Sequence, residues 1–354
     1  MPESRRFIVS SSPHVGSSLF TRRIMIHVSI ALTFCLIAGV VLYGFYSLFL
    51  VYLAAISAVA AETLFNLIRK KPNTILDGSA IVTGMIVGLN LPPTAPFYVA
   101  IIGSFFAIMV VKMLFGGLGK NFANPAATAR VFLLLSWTTK MTAFINPLDY
   151  AGDKVSAADF FSFRFIVDFA DKANYVTGAT PLAGIKSAGI AGASNVDVNL
   201  LDLLFGTIGG SIGEVCAIAI IAAAIYLIAF KIIDWKIPTI YLASCALFTL
   251  IFYKNGWNYI LPNLLSGGIL FGAVFMLTDY SSSPNTRWGT VVYAVGAGLI
   301  TMLIRRFGGM NEGVSFAILL MNLLVPLIDK AFRPKPFGYK KPQKFKKKEG
   351  AKNE

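Results

Sequence analysis

The sequence predicts an all-α polytopic membrane protein of about ten transmembrane helices. Three observations lead there. Of the 354 residues, 56% are hydrophobic and 14% are charged, against roughly 45–50% and 25% in soluble domains. Mean hydropathy is +0.70. Apolar runs long enough, or nearly so, to cross a hydrocarbon layer follow one another with short polar gaps. Charges this sparse cannot coat a water-facing surface of the required size, so lipid is part of the solvent.

The spans follow in order. The first runs from Ile24 to Tyr43, the second from Leu48 to Ile68, and the third from Ala80 to Leu91, short and stopped by Pro92 and Pro93. The fourth covers Phe97 to Leu114 and the fifth Pro125 to Phe144. A long polar stretch from Asn146 to about Thr207 interrupts the pattern, and loops of that length are functional or disordered. Phe160, Phe161, Phe163, Phe165, Ile166 and Phe169 within it point to packing on the membrane body. The sixth span is Ile212 to Ile232, the seventh Pro238 to Phe252 and the eighth Leu264 to Leu277. The ninth is Gly289 to Ile304 and the tenth Gly313 to Ile328. The chain thus divides into an N-terminal segment (1–23), helices one to five (24–145), a loop (146–211), helices six to ten (212–330) and a basic tail (331–354).

The net charge is +14, and much of it lies after Lys330, in Arg333, Lys335, Lys340, Lys341, Lys344, Lys346, Lys347 and Lys348. Such a tail marks the cytoplasmic side and touches anionic lipid. No soluble domain offers a basic face to nucleic acid. Arg22, Arg23, Arg69, Lys70, Lys71, Lys120, Arg130, Lys231, Lys236 and Arg287 then fall on the same side, which places both termini in the cytoplasm and the long loop outside. Arg305 and Arg306 break the rule. The N-terminus shows no apolar run with a cleavage site, so no cleaved signal peptide is expected.

A weak internal symmetry is visible. Ile81, Gly84 and Leu89 line up with Ile269, Gly272 and Leu277, and Phe115-Gly116-Gly117 with Phe307-Gly308-Gly309. Each pair lies five spans apart. An odd number of spans inverts the second copy, and short Gly/Pro-interrupted helices in matching places mark inverted repeats.

Few residues carry obvious chemistry. Cys35, Cys216 and Cys245 are far apart in apolar sequence and read as small buried hydrophobes rather than cluster ligands. His14 and His27 are the only histidines, and their spacing predicts neither haem nor metal. Carboxylates near or within spans are costly in lipid and hence functional candidates: Glu62, Asp77, Glu214, Asp279 and Glu312. Tyr43, Tyr46, Trp137, Trp257 and Trp288 read as interfacial anchors. Within the long loop, Tyr175-Val176-Thr177-Gly178-Ala179-Thr180-Pro181-Leu182 is a small-residue turn with two hydroxyls, and Pro181 stops a helix from running through the threonine. Gly116 to Asn124 leads into a helix at Pro125, where free N–H groups attract electron-rich oxygens. Asn121 and Asn124 there offer amide donors and acceptors.

Thr177-Gly178-Ala179-Thr180 resembles the flavinylation motif of the family that joins the D subunit of Rnf complexes and the B subunit of sodium-translocating NADH:quinone reductases. Further stretches resemble the same family: Ser12-Pro13-His14 with Arg23-Ile24-Met25, Asp77 to Gly84 ending in Leu91-Pro92-Pro93, and Phe115 to Ala126. The resemblance covers essentially the whole chain, and Thr180-Pro181-Leu182 resembles the Rnf member more closely. His27 departs from it, standing where the family often has an acidic residue.

The resemblance implies FMN joined through its phosphate to the Thr180 hydroxyl, with Thr177, Gly178 and Ala179 shaping the turn. Lys172 or Lys186 is a candidate partner for the phosphodiester, or else a solvated loop lysine. A second, non-covalent riboflavin is implied within the subunit and is placed near Asn121 and Asn124. Glu62 and Asp279 are the candidates for an ion path of Na+ or H+. The chain would be catalytic only within a multi-pass complex of the plasma membrane that moves electrons between ferredoxin and NAD. Its partners would be iron–sulfur subunits, a second subunit with covalent FMN, and a flavin transferase for maturation. The alternatives are a B-type quinone-reductase subunit and a flavin-free solute channel or transporter.

Overall fold

The computed structural model describes residues 21–70, 74–145, 147, 181–193 and 198–333. All regular structure among them is helical. Four helices are long and apolar enough to cross a membrane: α1 (Thr21–Tyr43), α2 (Phe45–Ile68), α11 (Arg287–Phe307) and α12 (Val314–Ala331). Five shorter apolar helices stand among them: α3 (Ser79–Leu89), α4 (Phe97–Phe105, running on as a π-helix over Phe106–Met113), α5 (Pro125–Ser136), α7 (Ala217–Ala229) and α8 (Lys236–Phe252). The eighth predicted span is a bent pair: α9 (Gly256–Leu265) and α10 (Ile269–Phe271, running on as a π-helix over Gly272–Met276) meet at 65°. α6 (Pro181–Ala191) lies in the long loop.

Besides the eighth span, which begins at Gly256 rather than Leu264, two boundaries differ from the sequence reading. The fifth helix ends at Ser136 rather than Phe144, because the backbone leaves helical geometry at Trp137 before a short turn of helix at Thr138–Met141. The sixth begins at Ala217 rather than Ile212. The Ile212 and Gly213 N–H groups bond instead to the carbonyls of Leu91 and Leu89, just where α3 runs out. Trp257 and Trp288, two of the expected interfacial anchors, are exposed. Tyr43 and Tyr46, expected to be exposed anchors, are instead buried within the helix bundle. The Tyr46 hydroxyl donates to the Ala95 carbonyl at 2.8 Å.

Small residues set the closest packing. A Cβ on Gly84 would lie 2.6 Å from the Ala55 Cα, so α2 and α3 approach backbone to backbone. Small-residue contacts of this kind drive helix association in lipid, where apolar side chains gain little by leaving the solvent. One continuous core joins α1–α5 to α7–α12. Cys35 and Cys245 are buried, and all three cysteines are free.

Candidate functional site

Polar groups concentrate at the two ends of the bundle. One end holds a cavity of about 390 Å³, lined by Arg130, Leu134, Pro181, Leu182, Ser211, Glu214, Gly267 and Glu312 among others. That volume lies in the range of small-molecule sites, roughly 300–1,000 Å³. Its polar floor comes from α5, the end of α3 and two turns. Arg130, from α5, donates to Glu214 through both guanidinium nitrogens and to Glu312 through Nη2. It also donates to Asn90 Oδ1 at 2.5 Å, at the end of α3. Arg130 is 7% exposed. An unpaired charge at that depth costs several kcal/mol per ion, so the two carboxylates are what allow it there.

The break between α9 and α10 forms the next wall. Arg305 donates to the Asn263 carbonyl at 2.7 Å and to the Ser266 carbonyl at 3.0 Å, the open acceptors where α9 ends. Glu312 Oε1 accepts from the Gly268 N–H at 2.7 Å, an open donor where α10 begins. Each charge therefore faces the helix end whose partial charge opposes it. Gly267, at φ +64°, makes the turn between them.

The opposite end of the bundle repeats part of this arrangement. Lys112 is buried and donates to Glu62 Oε2 at 2.7 Å and to the Ser79 hydroxyl at 2.8 Å, at the start of α3. Glu62 also accepts from the Thr74 hydroxyl, which takes a hydrogen bond from Asn66 Nδ2 at 3.1 Å. In the alignment of Ile81 with Ile269, Ser79 corresponds to Gly267. A buried cation therefore stands at the amino-terminal edge of each short helix. A smaller cavity of about 90 Å³ adjoins Lys112, lined also by Met25, Asn121, Asn124, Phe275 and Asp279.

The predicted residues fall as follows. Thr177, Gly178, Ala179 and Thr180 lie outside the described residues, but Pro181, joined to Thr180, lines the larger cavity. Asn121 Oδ1 is buried without a hydrogen-bond partner. Asn124 is committed to structure: its Oδ1 accepts from the Ala126 and Ala127 N–H groups at 2.9 and 3.2 Å, capping α5, and its Nδ2 donates to the Met276 carbonyl at 3.0 Å. Asp279 accepts from the hydroxyls of Ser281 and Ser282 at 2.9 and 3.0 Å. Lys186 is half-buried and donates to the carbonyls of Gly308 and Met310. His27 Nδ1 lies 2.8 Å from the Tyr226 hydroxyl, so this residue pairs with an aromatic neighbour of α7.

Sequence reasoning missed the Arg130–Glu214–Glu312 cluster. Both glutamates stood out as costly, but Arg130 read as a loop charge. Six residues into a helix begun by a proline, it points inward. Arg305 likewise is a buried group at a helix break rather than a loop charge.

Known proteins resemble this sequence over most of its length. The sequence matches the profile of the NQR2, RnfD, RnfE family over residues 8–338. It is 42% identical, over 95% of this chain and 96% of the relative, to the D component of the Na(+)-translocating ferredoxin:NAD(+) oxidoreductase complex of Acetobacterium woodii. It is 37% identical, over 94% and 96%, to the D component of the proton-translocating ferredoxin:NAD(+) oxidoreductase complex of Clostridium ljungdahlii. Against the D component of the ion-translocating oxidoreductase complex of Escherichia fergusonii it is 33% identical over 95% and 99%. With a profile match across nearly its full length and relatives this similar end to end, the chain belongs to the NQR2, RnfD, RnfE family.

Proposed function

We propose that this chain is the D-type electron-transfer subunit of an ion-translocating ferredoxin:NAD+ oxidoreductase complex, with FMN esterified to Thr180. The observation that carries the reading is the larger cavity beside Pro181. A tethered group on the neighbouring threonine has adjacent to it a space of flavin size, with Leu134, Leu182, Leu203 and Val215 as apolar walls and Arg130 as a polar floor. A flavin there supplies the transfer of electrons one or two at a time. The residues of this chain hold the tether, exclude water and set the local charge. NAD and iron–sulfur clusters belong to partner subunits in this reading, and a flavin transferase matures the subunit.

Sidedness follows the positive-inside rule. The burial of Arg305 removes it from the loop charges that opposed an inside N-terminus and an outside Thr180. The burial of Arg130 likewise removes one charge from the supporting side.

A second, non-covalent riboflavin is proposed at the opposite end. The unpartnered Asn121 Oδ1 favours it. The 90 Å³ cavity is too small for three fused rings, so binding requires the Gly116–Asn124 loop to move outward. Asn124 then acts by fixing the start of α5. Glu62 and Asp279 are proposed on the ion path, because Lys112, which pairs with Glu62, and Asp279 line the same cavity. The similar relatives are named for sodium in one case and protons in the other.

The test is the mass of the intact subunit from cells expressing the transferase. It should exceed the sequence mass by one FMN less water. The denatured band should fluoresce under ultraviolet light, and T180V should abolish both signals. An unmodified wild-type subunit, or a fluorescent T180V band, defeats the assignment. A dark band together with solute flux in liposomes would favour a transporter instead.

A further inference from the structure

α6, the helix that begins beside Thr180, is fastened to the membrane body at several points. Leu182 is buried, and its Cδ1 would lie 2.7 Å from a Cβ on Gly267 in the α9–α10 break. Gly189 admits the Tyr253 ring so closely that a Cβ there would lie 2.5 Å from it. Past the helix end, the Tyr259 hydroxyl donates to the Ala193 carbonyl at 2.8 Å. The remaining fastening is a pair of charge-assisted hydrogen bonds. Lys186 Nζ donates to the Gly308 carbonyl and, at 3.4 Å, to the Met310 carbonyl.

Those two carbonyls lie just beyond α11, which ends at Phe307. The end of a helix carries partial negative charge and open acceptors, so a lysine ammonium is well matched to it. Lysine is the residue expected to remain in water on a surface helix. Here it is half-buried and spans from α6 to the turn between α11 and α12. That turn runs on to Glu312, whose carboxylate holds the Gly268 N–H and meets Arg130. The helix next to the tether and the charged floor of the cavity are therefore anchored to the same short turn.

We infer that Lys186 is a positioning residue for the tethered flavin: by clamping α6 to the Gly308–Met310 turn, it fixes Pro181 at the cavity wall and so sets the tether's distance from Arg130 and Glu312. This rests on the flavin reading above. The clamp acts through the helix and touches no reacting atom. Small displacements matter at such sites, where a misplacement of about 1 Å can cost roughly a hundredfold in rate.

The test uses the full-length chain, produced with flavin transferase and purified in detergent, as wild type, K186R and K186M. In-gel fluorescence reports the covalent bond. Iodide quenching of flavin fluorescence reports exposure, and a redox titration reports the midpoint potential. The expected result is covalent loading in all three, with increased quenching and a shifted potential in K186M and wild-type values in K186R. Wild-type quenching and potential in K186M overturn the inference while leaving the flavin on Thr180 in place. A dark wild-type band overturns both. If K186M gives no folded protein, K186Q, which keeps a donor without the charge, is read in the same way. Wild-type values for both quantities in K186Q then overturn the inference.

Discussion

Arg305 and Glu312 hold the two sides of one helix break. The guanidinium takes the carbonyls of Asn263 and Ser266, and the carboxylate takes the Gly268 N–H. A break in hydrocarbon exposes backbone groups that lipid cannot satisfy, so irregular backbone persists there only where protein or water supplies partners. The opposed pair supplies them from two neighbouring positions, the last turn of α11 and the turn that follows it.

Replacing one member of the pair should be costly. R305M leaves the two α9 carbonyls without their donor and strips Glu312 of a compensating cation. A buried acceptor left without its donor typically costs about 1–3 kcal/mol, and here there are two. The expected outcome is a large fall in the melting temperature of the detergent-solubilised subunit, or loss of folded protein, with R305K restoring part of it. A melting curve for R305M superimposable on the wild type would show that the break is held by other contacts.

The apolar helices are legible in the sequence because apolar length is a one-dimensional signal. The ten expected runs correspond to four long helices, one bent pair and five shorter apolar helices. The eighth run extends back to Gly256 in the structure because Pro262, a helix-breaking signal in sequence, is accommodated inside α9. The cavity's floor was not legible. Glu214 and Glu312 lie 84 and 182 positions from Arg130, and nothing local announces that α5 and two turns converge. The role of Asn124 was half visible. An Asn before a Pro is a helix-start signal as much as a ligand signal, and the cap uses its carbonyl oxygen.

Asp279 should make stability depend on pH. It lies in the turn after α10, and burial holds its carboxyl above the usual value, partly offset by the Ser281 and Ser282 hydroxyls. The folded protein therefore binds this proton more tightly than the unfolded chain. Stabilisation from the protonated form is fully present below the unfolded value of about 3.8 and is lost as pH rises through the folded one. D279N, which keeps an oxygen acceptor and cannot ionise, should lack that decline. The measurement is the melting temperature of both proteins from acidic to neutral pH. Parallel curves would mean that Asp279 titrates as it does in the unfolded chain.

Glu62 and Lys112 should behave as one unit. Both are essentially buried, and their ionic contact at 2.7 Å joins α2 to the π-helical end of α4. Lys112 also reaches Ser79, which fixes the start of α3. E62Q leaves a buried ammonium with hydroxyl and amide partners alone, and K112M leaves a buried carboxylate beside Thr74. Each single change should therefore cost about 3–5 kcal/mol, most of it the penalty of the charge left behind. Exchanging both removes both charges together, so E62Q/K112M should be closer to the wild type than either single variant is. The coupling energy from this double-mutant cycle should fall well outside the roughly 0.3–0.5 kcal/mol seen for independent sites. Additive effects would mean that each residue has a separate partner, with no shared ionic contact across α2 and α4. A strong coupling would also make ion transport readable in the double variant, which keeps the fold but loses both charges. If Glu62 carries the ion, transport by the assembled complex should be lost in E62Q/K112M while the protein's melting temperature stays near that of the wild type.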